Sequence, residues 1–275
     1  MERIAFAVVV VMLMFVALAS PLRRFVVGRF AFQPSPGVDL SLSDLGVVGE
    51  EVRLEAEDGV SLHGFFIPHA GADRAILFLH GNAGNASHRL PNAVDLSRQA
   101  SHVLLIDYRG YGRSGGRPDE AGVYADARAG LTHLIEERGI PEQRIVLFGR
   151  SLGGAVAVDL ARGRALGGVI LESTFPSLSE VGGAHMGPAA RWLARGMFDS
   201  GSKITGMRAP LLAFHGDRDG IVPYALGRQL FEMAPEPKAF ETITGAGHND
   251  TVQVGGRAYF ARIGRFLDRV TPRRG

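Results

Sequence analysis

Five short, almost unbroken apolar runs constrain this chain more than any other feature. They are "AILFLH" (Ala75 to His80), "HVLLIDY" (His102 to Tyr108), "RIVLFG" (Arg144 to Gly149), "GVILES" (Gly168 to Ser173) and "PLLAFHG" (Pro210 to Gly216). Runs of that length without polar alternation suit strands buried on both faces. "AFETI" (Ala239 to Ile243) is expected to be the last strand. Helix-length stretches lie between the runs, among them Asp119 to Arg138 and Leu152 to Arg162. Strands alternating with helices predict an α/β fold with a mostly parallel sheet and helices on both faces. Upstream, "VRLEAEDGVSLHGFFIP" sets two alternating runs around Asp58-Gly59, a hairpin signal. Val52–Ala56 and Val60–Ile67 are therefore expected to be antiparallel, which makes the sheet mixed.

At 275 residues the chain suits one large domain. Its net charge of +2 is near balance, and no basic run is interleaved with aromatics, so nucleic acid is not an expected partner. The absence of cysteine removes disulfides, thiolate zinc sites and a cysteine nucleophile. No H-E-x-x-H or comparable spacing occurs, and neither a metal nor an organic cofactor is expected.

The N-terminus differs from the rest. Ile4 to Ala19 is an unbroken apolar run followed by Arg23, Arg24 and Arg29. It is read as a single-pass membrane anchor, and the arginines after it favour a cytoplasmic body. Ala17-Leu18-Ala19 offers a signal-peptidase site, so export after cleavage is the alternative. The expected organisation is an anchor over 1–24, a linker over 25–44 containing "QPSPG", and a catalytic body over 45–272.

Two stretches match G-x-S-x-G: "YGRSGG" around Ser114 and "FGRSLGG" around Ser151. A nucleophile elbow needs a strand running into the first glycine and a helix starting after the serine. Ser151 meets both conditions. Ser114 lies beyond the end of its strand in a glycine-rich loop with Pro118 close behind, and is read as a polar loop residue. The elbow's partners follow in the order acid, then histidine. Of the nine histidines only His248, in "TGAGHND", lies beyond the candidate acids of "HGDRDGIVP". Asp219 is preferred as the acid because it lies deeper in the loop, with Asp217 as the alternative. An oxyanion hole is expected from the backbone N–H of Leu152 and from the loop "HGNAGN". The second donor is assigned to Asn82, with Ala83 as its competitor. His80 is read as a residue that orients this loop.

"LHGNAGN", "DYRGYGRSGG", "GRSLGG", "HGDRDGIVP" and "GAGHND", in this order, resemble the α/β-hydrolase superfamily. They look most like its membrane-anchored Bem46-like and ABHD-type serine hydrolases. The resemblance covers Val52 to Val270 and implies an eight-stranded-type sheet. It also implies Ser151 as nucleophile, Asp219 as acid and His248 as base. Serine at the elbow departs from the dehalogenases, and G-R-S-L-G departs from the G-G-S-W-G of the prolyl aminopeptidases. Phe175 to Met207 is too long for a simple connection, and a cap over about 175–207 is expected there. Its Met186, Trp192, Leu193, Met197 and Phe198 either line an acyl-chain site or pack the cap onto the body. The expected activity is hydrolysis of lipid-like or protein-bound acyl esters or thioesters. A peptidase or amidase on the same triad, and a non-catalytic binding protein on the same fold, are the alternatives.

Overall fold

The computed structural model describes residues 21–273. The chain begins with helix α1 (Pro21–Ala31) and the two-residue strand β1 (Gln33–Pro34). A hairpin follows, β2 (Glu50–Glu55) and β3 (Ser61–Ile67), antiparallel with Val52 opposite Gly64. Then come β4 (Ala75–Leu79), the short β5 (Ala83–Gly84), α2 (Leu90–Ser97), β6 (His102–Ile106) and α3 (Glu120–Thr132). The helical stretch expected to run on to Arg138 changes to a π-helical turn over His133–Glu137. The remaining strands are β7 (Ile145–Arg150), β8 (Gly168–Glu172), β9 (Leu211–Gly216) and β10 (Lys238–Ile243). They are covered by α4 (Leu152–Ala161), α8 (Tyr224–Met233) and α9 (Thr251–Val270). Three short helices, α5 (Leu178–Met186), α6 (Pro188–Leu193) and α7 (Ser200–Ile204), lie between β8 and β9.

Eight strands form one sheet in the order β10-β9-β8-β7-β4-β6-β3-β2. β6, β4, β7, β8, β9 and β10 are parallel, and β3 joins β6 antiparallel. The period of two divides the core between the two faces of the sheet. On β4 and β7, Leu77, Leu79 and Leu147 enter one cluster, while Ile76, Phe78, Val146 and Phe148 enter the other. This explains why these strands read as continuous apolar runs.

The chain order places the site. After β4 the chain crosses to β6 on one side and returns to β7 on the other. Connections that leave neighbouring strands in opposite directions open a crevice beyond their carboxyl ends. The crevice here lies past Leu79 of β4 and Arg150 of β7.

The apolar run Ile4–Ala19 lies outside the described residues, and among those described no helix is long and apolar enough to cross a membrane. Part of the stretch read as a linker is built onto the body. Gln33–Pro34 pairs in parallel with Ala83–Gly84 and Phe32 is buried, while Arg23, from the stretch read as the anchor, donates to the carbonyls of Trp192, Leu193 and Arg195. Finally, Met197 and Phe198 join the core, and Phe198 meets Phe32 and Tyr124 edge-on at 5.9 Å. Those two side chains pack the insertion down, while Met186 is exposed.

Candidate active site

β7 ends at Arg150 and α4 begins at Leu152, so Ser151 alone makes the turn. Its φ of 53° and ψ of −118° are unusual for a residue with a side chain. Such a conformation costs about 1–3 kcal/mol and persists only where its surroundings enforce it. Here the Ser151 N–H donates to the Glu172 carbonyl at 2.8 Å, and Thr174 Oγ1 donates to the Ser151 carbonyl at 2.9 Å. Packing requires Gly153 beside it, since a Cβ there would lie 2.0 Å from the Leu79 carbonyl oxygen. Without that close approach α4 could not abut the end of β4.

His248 lies in the loop between β10 and α9. Its Nε2 is 3.1 Å from Ser151 Oγ, and its Nδ1 is 2.7 Å from Asp219 Oδ2. A carboxylate can only accept, so Nδ1 carries the proton and the Nε2 lone pair faces the serine hydroxyl. Asp219 Oδ1 accepts from the N–H groups of Ile221 and Val222 at 2.9 and 2.8 Å. His215 Nε2 lies 3.3 Å from Asp219 Oδ2 and 2.9 Å from the Val222 carbonyl, which fixes a proton on that nitrogen too. Burial acts to raise the Asp219 pKa, but the hydrogen bonds from His215 and His248 prevail and hold it well below the usual carboxylate range. Asp217 is engaged elsewhere, its Oδ1 accepting from Gly245 N at 2.7 Å.

The loop after β4 forms the opposite wall. A Cβ on Gly81 would lie 3.5 Å from Ser151 Cβ. The buried His80 ring donates through Nδ1 to the Gly81 carbonyl at 2.7 Å. In a trans peptide the C=O and the following N–H point in opposite directions, so the Asn82 N–H is turned away from the His80 ring. The Asn82 carbonyl accepts from Gln33 N at 2.9 Å and Tyr111 Oη at 2.7 Å. By the same geometry the Ala83 N–H points away from those two donors. Leu152 is the first residue of α4, where a backbone N–H has no intrahelical acceptor.

Ser114 stands in a different setting. Its Oγ donates to the Asp107 carbonyl and accepts from His63 N, both at 2.9 Å. The glycines around it serve packing, for a Cβ on Gly112 would lie 2.2 Å from Asp107 Oδ2, and its φ is +54°.

Sequence reasoning passed over one group. Arg150, the variable residue of the elbow motif, pairs through Nε with Glu172 at 3.0 Å. Its Nη2 donates to the His248 carbonyl at 2.7 Å and to Asn249 Oδ1 at 3.2 Å. Glu172 is buried at the end of β8 and also accepts from Thr251 Oγ1 at 2.9 Å and from Tyr259 Oη. A guanidinium thus ties the elbow to the histidine loop. A charged residue closing a buried strand, as in "GVILES", was the available signal. Among the described residues no cluster of three or more His, Asp or Glu is arranged to hold a metal ion.

Residues 76–265 match the family model described as "Alpha/beta hydrolase family". An uncharacterized protein of Mycobacterium tuberculosis is 41% identical over 243 residues, which cover 87% of this chain and 86% of that one. Protein bem46 of Schizosaccharomyces pombe is 33% identical over 233 residues, covering 79% of this chain and 76% of the relative. Among solved structures, the esterase Pf2001 of Pyrococcus furiosus superposes with a TM-score of 0.74 at 24% identity, covering 87% of this chain and 98% of that one.

Proposed function

The chain belongs to the alpha/beta hydrolase family, and from that premise we propose that it is a serine hydrolase cleaving acyl esters or thioesters. The observation that carries this reading is the line Ser151–His248–Asp219, closed at 3.1 and 2.7 Å beneath a strained serine. Ser151 Oγ attacks the acyl carbon while His248 Nε2 takes its proton. The N–H groups of Leu152 and Asn82 hold the tetrahedral oxyanion. His248 then protonates the departing alcohol or thiol, leaving an acyl-serine. Water attacks that ester, His248 takes a proton from the water, and the acid leaves as Oγ is reprotonated. Asp219 stays ionised throughout, orienting the imidazole and stabilising its cationic form.

The apolar run Ile4–Ala19 supports the further proposal that the enzyme is held at a membrane, where lipid-like or protein-bound acyl groups are presented. Extraction of membranes with alkaline carbonate tests this, and release of the full-length chain into the supernatant would overturn it.

Labelling of the purified protein with a fluorophosphonate tests the chemistry. Labelling is expected to vanish in Ser151→Ala and persist in Ser114→Ala, with ester turnover reduced roughly 10⁴–10⁶-fold in the former. Labelling that survives Ser151→Ala refutes the assignment. Hydrolysis of aminoacyl amides in preference to acyl esters would instead make the enzyme an amidase on the same residues.

A further inference from the structure

Arg89 forms no ion pair with a carboxylate among the described residues. Its Nε is buried, and no group among the described residues accepts from it. Among the described residues its Nη2 reaches only the Ala83 carbonyl, at 3.4 Å. That is a marginal bond for a group with five donors. Bracing Ala83 therefore leaves most of the guanidinium unused.

Its surroundings come from both walls of the site. Ala83 belongs to the loop that lies against Ser151 through Gly81. On the other side, burial chiefly lowers the Arg89 pKa, the charge of Arg150 adds to this, and Glu172 opposes it. Glu172 is already engaged by Arg150, Thr251 and Tyr259. Two guanidiniums therefore share one occupied carboxylate, leaving one net positive charge. That excess is carried by Arg89, whose hydrogen bond goes to Ala83 beside Asn82, and by Arg150, which holds His248 and Asn249. A partly buried guanidinium with free donors matches a carboxylate or phosphate, which it can grip with two parallel N–H groups.

We propose that Arg89 is an anion-binding residue, and that the preferred substrates are acyl esters or thioesters carrying a carboxylate or phosphate near the scissile carbonyl. The proposal deepens the serine-hydrolase reading and rests on it. A neutral lipid ester would leave the charge of Arg89 unmatched, whereas an anionic one supplies the missing acceptor as it docks. Because bound anion and reacting carbonyl are held together, the contact also fixes which end of the substrate enters first.

The test compares a neutral ester, 4-nitrophenyl butyrate, with 4-nitrophenyl hemisuccinate and with the butyrate ester of 4-hydroxyphenyl phosphate. At least one anionic ester is expected to show a kcat/KM about tenfold or more above the neutral one, the scale of a charge-assisted bond. That ratio should fall toward one in Arg89→Gln and recover in part in Arg89→Lys, which keeps the charge but loses the fork. The better of the two anionic esters identifies carboxylate or phosphate. No preference for either, or a preference that survives Arg89→Gln, overturns the proposal. Calorimetry with succinate and inorganic phosphate on Ser151→Ala, with and without Arg89→Gln, separates this failure from failure of the hydrolase reading. Anion binding lost with Arg89 supports the site even if no ester is cleaved. Binding that is absent, or unchanged by Arg89→Gln, overturns it.

Discussion

Asp219 has four polar neighbours: two loop amides on one oxygen, and His248 and His215 at the other. Its native pKa lies below the unfolded value of about 3.9. The sign follows directly. Such a group contributes stability that is fully present above the unfolded pKa and is lost as pH falls through the depressed native value. Asp219→Asn should therefore flatten the fall of thermal stability with pH below about 4. It should also cut kcat roughly 10³–10⁴-fold at neutral pH, because an amide no longer fixes the productive tautomer of His248. Asp217→Asn should leave kcat within about threefold, since that carboxylate accepts from the Gly245 amide while His248 turns to Asp219. If turnover follows Asp217 instead, the acid has been misassigned. The histidine was legible from order alone, because one imidazole lies downstream of the acids. Asp219 was preferred over Asp217 for its depth in the loop, and the fold adds which amides each carboxylate meets. Arg150 and Glu172 were illegible for a related reason, since a pair 22 positions apart becomes a contact only once β7 and β8 lie side by side.

The elbow is a property of strand, turn and helix together. β7, Ser151 and α4 hold their conformation because Gly153 lets α4 approach β4 and because Glu172 and Thr174 fasten the serine's own peptide groups. The strain of a positive φ can be measured by comparing two inactive variants. Elsewhere glycine is less stable than alanine by up to about 1 kcal/mol, through the entropy of the unfolded chain. At position 151 the order should reverse, with Ser151→Gly more stable than Ser151→Ala by about 1 kcal/mol in thermal or urea unfolding. An alanine variant equal or superior in stability would mean that no strain is stored there. Arg150 gives the element its second fastening. Arg150→Lys keeps a charge for Glu172, but a single ammonium cannot also span His248 and Asn249. Its kcat is expected to fall about tenfold with a smaller change in KM, and wild-type turnover would deny Arg150 a positioning role. The parallel strands were readable because burial on both faces leaves unbroken apolar runs. The packing role of Met197 and Phe198 was not, because an apolar side chain under a cap and one lining a pocket look alike in sequence.

Across the whole molecule, residues 21–37 act as a strap that links separate parts of the site. Arg23 meets three carbonyls of the inserted helical segment, Gln33–Pro34 adds to Ala83–Gly84, and Gly37 N donates to the Gly112 carbonyl at 2.8 Å. The sequence concealed this, since "QPSPG" has the composition of a free turn and its bonds are formed by backbone atoms that any residue carries. The consequence bears on catalysis. Gln33 and Tyr111 are the two donors that set the Asn82 carbonyl, and through it the peptide that carries the Ala83 N–H. Gln33→Pro removes one donor by deleting an N–H, and Tyr111→Phe removes the other by deleting a hydroxyl. Each alone leaves a partner in place and should lower kcat only about three- to tenfold. Together they free the peptide, and the double variant should lose more than the product of the single effects. The total should stay below the roughly 10²–10³ that accompanies outright loss of one oxyanion donor, because the Asn82 N–H lies on the preceding peptide, whose Gly81 carbonyl His80 holds. Fluorophosphonate labelling rates and ester kinetics on all four proteins decide the matter. A double variant no slower than the product of the singles would mean that the strap holds the loop in place without tuning it.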